Sequence, residues 1–321
     1  MYLVCGEALF DFFCNPGERS SELNFRALAG GSPFNVAVGL RRLGVDSALF
    51  AGISSDYLGQ RLRSVLEEEG VSDRYLVASD APTTMAMVAL DSQGSPQYMF
   101  RGEGCADRQL LAEHMPVLDE QISGLHIGSY SLVVPPVGDT LLALVERESE
   151  RRLITLDPNV RLNPAPDIER WRQRIESFAA HAHLIKVSEE DLELLYPGIE
   201  PLASIERWLA QRCQVVFLTR GSEGASVFSR QHGHWSVPAR QVVTRDTVGA
   251  GDTFQAAIIA YLVQHGLDSP AALATLSRET LGAMLDFAVQ AAALTCSRVG
   301  PQLPYRHELE QYQAVEGHEA Q

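Results

Sequence analysis

A glycine-rich turn that runs directly into an apolar helix is the stretch of this sequence best suited to chemistry. It is DTVGAGDTFQAAIIAYLVQHG, residues 246–266, in which Phe254 and Ile258 belong to an apolar stripe with helical spacing. The pattern predicts a helix that begins near Asp252. Backbone N–H groups of the glycines and the partial positive charge of a helix N-terminus together form a site for an anion. Asp252 adds a carboxylate at the mouth of that site, where a phosphate donor and a proton acceptor would meet.

A second glycine-rich element, AGGSPFNVAVGLRRLG, covers residues 29–44. Gly30 and Gly31 permit close approach of the backbone to a ligand, and Ser32 and Pro33 suit the cap and first turn of a helix. Asn35 falls in the first helical turn, where its amide can face the same ligand as the glycines. Helix capping is the alternative role for this residue.

Two carboxylates in the N-terminal segment GEALFDFF also need an explanation. Glu7 and Asp11 lie four residues apart among apolar residues. Carboxylates are rarely buried without a partner, so either they serve a site or they are solvated at the end of a strand.

The order of elements predicts an α/β fold. From residue 125 onward strands alternate with helices, which favours a mostly parallel sheet covered on both faces, with ligands bound beyond the carboxyl ends of the strands. Three consecutive strands end in polar residues, which favours a lined cleft over three unrelated loops. These residues are Asp157, Asn159 and Arg161 after LITL, Lys186, Ser188, Glu190 and Asp191 after LI, and Thr219, Arg220, Gly221 and Gly224 after VVFL.

Two β-rich excursions interrupt this order. The first turns near Pro16 and Gly17 and returns with LNFRALAGG, and the second has its turn at residues 92–96. They are expected to pair with each other. Ordered structure is expected to end near Pro304, followed by a frayed tail.

Composition excludes several classes of protein. The 321 residues carry a formal net charge of −15, which argues against a nucleic-acid partner. No apolar run is long enough for a membrane span, and no signal peptide is recognised, so a cytoplasmic location is expected. The five cysteines are scattered and are expected to be reduced, and the nine histidines show no zinc-binding spacing.

The two glycine-rich elements resemble the N-terminal and C-terminal signatures of the PfkB, or ribokinase-like, family of carbohydrate kinases. They occur in the expected order, and LTRGSEGA between them resembles the nucleotide loop of the family. The resemblance covers about residues 1–305. It implies a ribokinase-like three-layer α/β/α fold with a mostly parallel central sheet and a small β-sheet lid from about residues 8–30 and 84–103. It also implies a single kinase domain over 1–310 and a frayed tail over 311–321.

Within the family the chain is most similar to the fructokinases, through GEALFDFF, AGGSPFNVA, the stretch 105–107, IGSYSL and DPNVR. The similarity implies ATP-dependent transfer of the γ-phosphate to a primary hydroxyl of a ketose, first of all D-fructose. Asp252 would be the general base, the N–H groups of Gly249, Ala250 and Gly251 would form the anion hole, and Arg161 would contact the transferred phosphate. The expected sugar-binding residues are Asp11, Gly30, Gly31, Asn35 and Arg101, and the expected nucleotide-binding residues are Lys186, Ser188, Thr219, Gly221 and Gly224.

The resemblance also implies cations and a quaternary structure. Magnesium is expected to enter with ATP and to be held largely through water near Asp191 and Glu190. The family often has an Asn-x-x-Glu pair there, whereas this chain has Ser188 and Asp191, so the metal arrangement is not determined by the sequence. A monovalent cation is expected near Asp246 and Ser297, and K⁺ is the candidate ion. Open strand edges favour a homodimer formed through the lid.

Two alternatives remain open at this level. One is a kinase of the same family for another acceptor, such as ketodeoxygluconate, ribose or a nucleoside. The other is a non-catalytic sensor of a sugar or nucleotide, which would have no need for the carboxylate of Asp252.

Overall fold

The structure is a computed structural model that describes residues 1–16, 21–90 and 96–319. In chain order its strands are β1 (Tyr2–Cys5), β2 (Leu9–Pro16), β3 (Leu23–Gly30), β4 (Ser47–Ser54), β5 (Leu76–Ser79), β6 (Met85–Leu90), β7 (Pro96–Arg101), β8 (Gly124–Gly128), β9 (Leu153–Asp157), β10 (Leu184–Ser188), β11 (Val215–Thr219), β12 (Ala225–Ser229) and β13 (Gly233–Val237). The helices are α1 (Ser32–Arg42), α2 (Tyr57–Glu68), α3 (Val137–Glu148), α4 (Ile168–Ala179), α5 (Glu189–Leu195), α6 (Pro201–Leu209), α7 (Ala250–Gln264), α8 (Pro270–Leu273), α9 (Arg278–Cys296) and α10 (Arg306–Glu319).

Nine strands form the main sheet, in the order β13-β12-β11-β10-β9-β8-β1-β4-β5. Neighbours from β11 to β5 run parallel, whereas β12 and β13 form an antiparallel hairpin at one edge. Central strands such as β9 are buried along their whole length, because helices cover both faces of a parallel sheet. The predicted α/β architecture with a mostly parallel sheet is confirmed.

The two faces of the sheet carry separate apolar cores. One contains side chains of α1, α2, α7 and α9, including Phe254, Ile258 and Met284. The other contains side chains of α3, α4, α5 and α6, including Trp171 and Trp208. This arrangement gives the three layers that the sequence predicts.

The lid is a separate four-stranded sheet in the order β3-β2-β6-β7. Strands β2 and β3 are antiparallel, β2 and β6 are parallel, and β6 and β7 are antiparallel. The two predicted excursions therefore do pair with each other. The turns predicted at Gly17 and at residues 92–96 lie largely outside the described residues.

The C-terminal segment differs from the sequence-based expectation. Helix α10 follows Pro304, where ordered structure was expected to end, and it runs through the segment expected to be frayed. The helix docks because Leu309 is buried and because Arg298 forms an ion pair with Glu308 at 2.7 Å. Contacts of this kind, made by individual side chains with a distant segment, leave little trace in the sequence pattern. Among the described helices, none combines the length and the apolar character that crossing a membrane requires.

Candidate active site

Asp252 lies in the first turn of α7, which begins two residues before the predicted start of the helix at Asp252. The helix begins at Ala250, and Gly249 precedes it with a φ of 80°. The first helical hydrogen bond runs from Thr253 N to Gly249 O at 2.8 Å. Because glycine adopts this left-handed conformation without strain, the turn can enter the helix two residues earlier than the apolar stripe indicates.

The carboxylate of Asp252 joins the two glycine-rich elements. Its Oδ1 accepts a hydrogen bond from Ser32 Oγ at 2.6 Å, and its Oδ2 accepts one from Asn35 Nδ2 at 2.8 Å. The side chain is buried, as are both donors. Asn35, expected to bind sugar, thus holds the candidate base. Ser32 was assigned only to helix capping, but α1 is capped by Gly31, which leaves the Ser32 hydroxyl free for Asp252.

The N–H groups of the predicted anion hole are not equivalent. Ala250 N donates to Thr247 O at 3.2 Å, which closes the turn before the helix. Among the hydrogen bonds of the described chain, none engages the N–H of Gly249 or Gly251. These two groups are therefore the ones available to an anion at the N-terminus of α7.

Lys186 lies directly behind this helix N-terminus. A Cβ placed on Gly251 would be 3.0 Å from Lys186 Nζ. The ammonium is paired with Asp157 Oδ2 at 2.9 Å, and both side chains are buried. Burial opposes the charge, but the nearby carboxylates of Asp157, Asp191 and Asp252 outweigh it and raise the pKa of Lys186. A permanent cation therefore stands behind the anion hole of an acidic protein.

Asp11 brings the lid into the site. Strand pairing places Asp11 beside Leu28 and Ala86, and Ala86 beside Phe100, so these side chains share one face of the lid. Burial and the charge of Asp252 raise the pKa of Asp11 to about 6, although Arg161 counteracts them. The charges of Asp252 and Arg161 are therefore near enough to Asp11 to change its pKa in opposite directions.

Gly30 and Phe100 complete the lid side of this cleft. A Cβ on Gly30 would be 2.5 Å from Asp11 Oδ2, so a glycine is needed beside the carboxylate. Phe100 was not predicted as a site residue. The period-two alternation of β7 could have revealed it, since Phe100 is in register with the face of Asp11.

Arg101 does not join the other predicted sugar-binding residues. It pairs with Met85, one position away from the Ala86–Phe100 pair, so it falls on the opposite face of the lid. Its side chain is exposed, and among the described residues its Nη1 donates to the neighbouring Phe100 O, at 3.5 Å. The expectation that Arg101 contacts the sugar is therefore not supported by the geometry, because side chains alternate along a strand.

Ser188 and Asp191 bind each other instead of presenting free ligand atoms. Asp191 N donates to Ser188 Oγ at 3.0 Å, and Ser188 Oγ donates to Asp191 Oδ2 at 2.7 Å, which caps α5. The other oxygen, Asp191 Oδ1, accepts from Val160 N at 2.8 Å and so anchors the residue before Arg161. Arg161 itself is exposed, with Nη1 donating to Val160 O at 2.9 Å. Asp191 thus positions the loop that carries Arg161.

These residues do not form a metal cage. Glu190 is exposed on α5, and across residues 1–16, 21–90 and 96–319 no three His, Cys, Asp or Glu side chains are grouped as metal ligands. Asp157 Oδ1 is buried without a hydrogen-bond partner, but Lys186 already neutralises this carboxylate. The donor set suits a magnesium ion that is held by phosphate oxygens and water.

The predicted nucleotide residues follow β11. Thr219 Oγ1 donates to Val187 O at 3.5 Å, which links the ends of β10 and β11. Gly221 is exposed with a φ of 52°, and the position of its missing Cβ is open. Gly224 has a φ of 100°, and a Cβ there would overlap Val237 O. Gly224 is thus required by the β12–β13 hairpin, whereas Gly221 leaves the cleft edge open for a ligand.

Asp246 and Ser297 come together, as the cation prediction requires. Asp246 N donates to Cys296 O at 3.3 Å, which joins the two segments. The carboxylate of Asp246 accepts from Val248 N at 3.1 Å and from Gly300 N at 2.8 Å, and Ser297 Oγ donates to Leu294 O at 2.8 Å. Both side chains organise backbone loops beside the anion hole, and the monovalent cation stays a prediction.

Gly249 provides a direct test of this geometry. Its φ is 80°, and a Cβ would lie 2.9 Å from Pro301 Cβ. We expect Gly249→Ala to destabilise the protein by about 1–3 kcal/mol and to lower kcat, because the strained turn moves an N–H donor of the anion hole. Calorimetry and turnover measure the two effects. Gly233→Ala, at a turn with a φ of 72° and no nearby atoms, is the control and should lose stability alone.

Residues 1–308 match the family model of the pfkB family carbohydrate kinases. The chain belongs to this family. Fructokinases are among its similar relatives: that of Rhizobium leguminosarum bv. trifolii is 36% identical over 282 residues, covering 88% of this chain and 85% of the relative. Fructokinase-1 of Zea mays is 32% identical over 313 residues, covering 95% and 94%.

Solved structures agree with the sequence comparisons. A fructokinase from Xylella fastidiosa with bound ATP has a TM-score of 0.89 and 26% identity, with 98% of each chain covered. A candidate Ribokinase II from E. coli in complex with ATP and Mg²⁺ has a TM-score of 0.81 and 25% identity, covering 98% of this chain and 99% of that one. The predicted family and ribokinase-like fold are confirmed, and this PfkB-family protein is a sugar kinase, a phosphotransferase.

Proposed function

We propose that this PfkB-family kinase transfers the γ-phosphate of ATP to the primary hydroxyl of a ketose, forming fructose 6-phosphate from D-fructose. The contact that carries the proposal is the one between Asp252 and the pair Ser32 and Asn35, at 2.6 Å and 2.8 Å. The contact supports the proposal because it joins the turn before α7, the proposed anion site, to the turn before α1, the proposed sugar site. The fructokinases among the relatives, at up to 36% identity, support fructose as the acceptor.

Asp252 acts as the general base in the proposed mechanism. The sugar oxygen attacks the γ-phosphorus, the bond from that phosphorus to the bridging oxygen of ADP breaks, and the hydroxyl proton passes to Asp252. Ser32 and Asn35 donate to the two carboxylate oxygens and so fix the plane of the carboxylate before the sugar arrives. A base held in this way needs no reorganisation during transfer.

Charge on the transferred group is stabilised from two sides. The free N–H groups of Gly249 and Gly251 point from the start of α7, with Lys186 Nζ behind them. Preorganised donors of this kind contribute about 3 kcal/mol each to the transition state. Arg161, on the loop anchored by Asp191, supplies positive charge from the side of Asp11.

ATP is proposed to lie across the ends of β10 and β11, beside Thr219 and Gly221. Two structural relatives contain ATP, and one of these also contains Mg²⁺. The Asp157 and Asp191 carboxylates, acting through water, would help to hold a magnesium ion that enters with ATP, and such an ion would supply positive charge to offset the phosphates. The monovalent cation and a cytoplasmic location belong to the same proposal.

A homodimer through the lid is also proposed. Phe25 pairs with Cys14 and Met99 pairs with Met87, which places all four on the lid face opposite Asp11. Phe25 is 46% exposed and Met99 is 48% exposed, an apolar surface suited to a second lid. Sedimentation of Phe25→Glu against the unmodified protein tests the dimer, and an unchanged dimer would place the interface elsewhere.

The sugar side should show a characteristic pH dependence. The pKa of Asp11 is raised to about 6 by burial and by Asp252. Because a carboxylate accepts two sugar hydroxyls and a carboxylic acid only one, we expect KM for the sugar to rise as pH falls through about 6. The profile of kcat/KM against pH measures this. Asp11→Asn should raise KM and flatten the acidic limb, whereas an unchanged limb would assign it to another group.

An acceptor panel tests the proposed function as a whole. ADP release is measured with magnesium ATP and fructose, ribose, ketodeoxygluconate or a nucleoside, ranked by kcat/KM. Fructose is expected to rank first. If another acceptor ranked first, the proposed substrate would be wrong, while the proposed roles of the residues around the phosphate would stand. If none of the acceptors led to ADP release, the result would favour the non-catalytic sensor.

A further inference from the structure

Glu7 is a buried carboxyl group that the mechanism above does not use. Only 1% of the residue is exposed. It follows the end of β1 and lies against Gly31. Burial raises the pKa of Glu7 to about 7, even though Ser131 donates a hydrogen bond to it, which acts in the opposite direction. Burying a carboxyl group is costly, so a specific arrangement must retain it.

The partners of Glu7 lead to the candidate base. Glu7 Oε2 accepts from Ser131 Oγ, and Glu7 Oε1 accepts from Ser32 N at 3.3 Å. The hydroxyl of the same Ser32 donates to Asp252 Oδ1 at 2.6 Å. A continuous path of hydrogen bonds therefore runs from Glu7, through the backbone and side chain of Ser32, to Asp252.

The backbone of Gly31, which precedes Ser32, also packs closely against Glu7. Gly31 has a φ of 104°, and a Cβ there would lie 2.8 Å from Glu7 O. Only glycine adopts this conformation readily, and only glycine fits this distance. The position of Ser32 is thus determined by Glu7 on one side and by Asp252 on the other.

The opposite end of the path is rigid. Ser129 has a φ of 61°, unusual for a residue with a side chain, and it begins a short turn, Ser129–Leu132. Glu7 holds this turn at Ser131, and Asp107, equally buried, holds it at Tyr130, whose OH donates to Asp107 Oδ2 at 2.7 Å. Glu7 therefore connects a fixed turn to the serine that orients the base.

We propose that Glu7 is a positioning residue for phosphoryl transfer. By holding the backbone of Ser32, it determines where the Ser32 hydroxyl lies and thereby how Asp252 is oriented. The inference rests on the proposed role of Asp252 as the base. What matters on this view is the length of the Glu7 side chain and an acceptor atom for Ser32 N, more than the negative charge itself.

Two conservative variants separate the effect of the length of the Glu7 side chain from the effect of its charge. Glu7→Asp keeps the charge but withdraws the acceptor from Ser32 N, and Glu7→Gln removes the charge but keeps one acceptor at the same reach. We expect Glu7→Asp to lower kcat about tenfold with KM for the sugar within about twofold, because a displaced base slows transfer more than binding. Glu7→Gln should stay within about twofold of the unmodified kcat. Ser47→Ala, which removes a buried hydrogen bond to Ala37 O at the start of β4 and leaves this turn and Ser32 intact, is the control and should lower Tm with kcat nearly unchanged.

The decisive comparison is a double-mutant cycle with Ser32→Ala. If Glu7 acts through Ser32, the pair Glu7→Asp and Ser32→Ala loses no more kcat than Ser32→Ala alone. Additive losses, a change in KM instead of kcat, or an impaired Glu7→Gln beside an active Glu7→Asp would overturn the inference. The failure of the proposed function is distinct, because then Asp252→Asn itself would retain turnover.

Discussion

Replacing Asp252 with Asn is expected to lower kcat by a factor of about 10² to about 10⁴, the range of general acid–base catalysis. Asn is nearly isosteric and its oxygen can still accept from Ser32, so the fold should persist. Its amide, however, would face the amide of Asn35, which now donates to Asp252 Oδ2 at 2.8 Å. Two opposed donors cost about 1–3 kcal/mol of stability. Steady-state ADP release measures the first effect and calorimetry measures the second.

Asp56 provides the matched control for this prediction. It caps α2 by accepting from Gly59 N at 2.7 Å, and it also accepts from Thr83 N at 2.8 Å and from Thr83 Oγ1 at 2.6 Å, so all its contacts are structural. Asp56→Asn should lower Tm modestly and leave kcat unchanged. If Asp252→Asn behaved in the same way, Asp252 would be a capping residue and the assignment of the base would be wrong.

Replacing Lys186 with Met is expected to have the largest effect on stability. The variant leaves Asp157, fully buried, without its cation at 2.9 Å, and breaking a buried ion pair from one side costs about 3–5 kcal/mol. Burial already raises the pKa of Asp157 to about 6, with Lys186 counteracting. A raised pKa means that stability is present at low pH and is lost as pH rises through that value.

The loss caused by Lys186→Met should therefore be smaller below the Asp157 titration than above it, because a protonated Asp157 needs no cation. Denaturant unfolding at two pH values measures this difference. We also expect kcat to fall about tenfold or more, since the cation behind Gly251 is removed. Arg152→Met, in a buried pair with Glu148 remote from the cleft, should lose stability without losing kcat. A Lys186→Met enzyme with normal turnover would contradict a role behind the anion hole.

Local patterns in the sequence were sufficient to predict the fold, and they also led to the proposed chemistry of the phosphate side. Helix and strand periodicity predicted the alternating order of the main sheet, and the glycine turn before Asp252 predicted an anion site. Both are short-range features, because a glycine conformation or a helix N-terminus involves only neighbouring residues. The β excursions likewise predicted the lid, although not which side chains face the cleft.

The tertiary structure decided which side chains meet. Ser32 and Asp252 are 220 residues apart in the chain, and only the packing of α1 against α7 brings them within 2.6 Å. Because side chains alternate along β7, Phe100 lies on the lid face of Asp11, whereas the next residue, Arg101, lies on the opposite face.

In the sequence, the helix that contains Asp252 is recognisable as an apolar stripe with a carboxylate at one end. Its partners Ser32 and Asn35, the cation of Lys186 and the buried Glu7 all depend on contacts between distant segments. Periodicity encodes the face that an element buries, whereas such contacts follow from how buried faces pack, and one sequence does not display that directly. The sequence by itself thus determined the family, the fold and the reaction type, and the tertiary structure decided how the carboxylate of Asp252 is held.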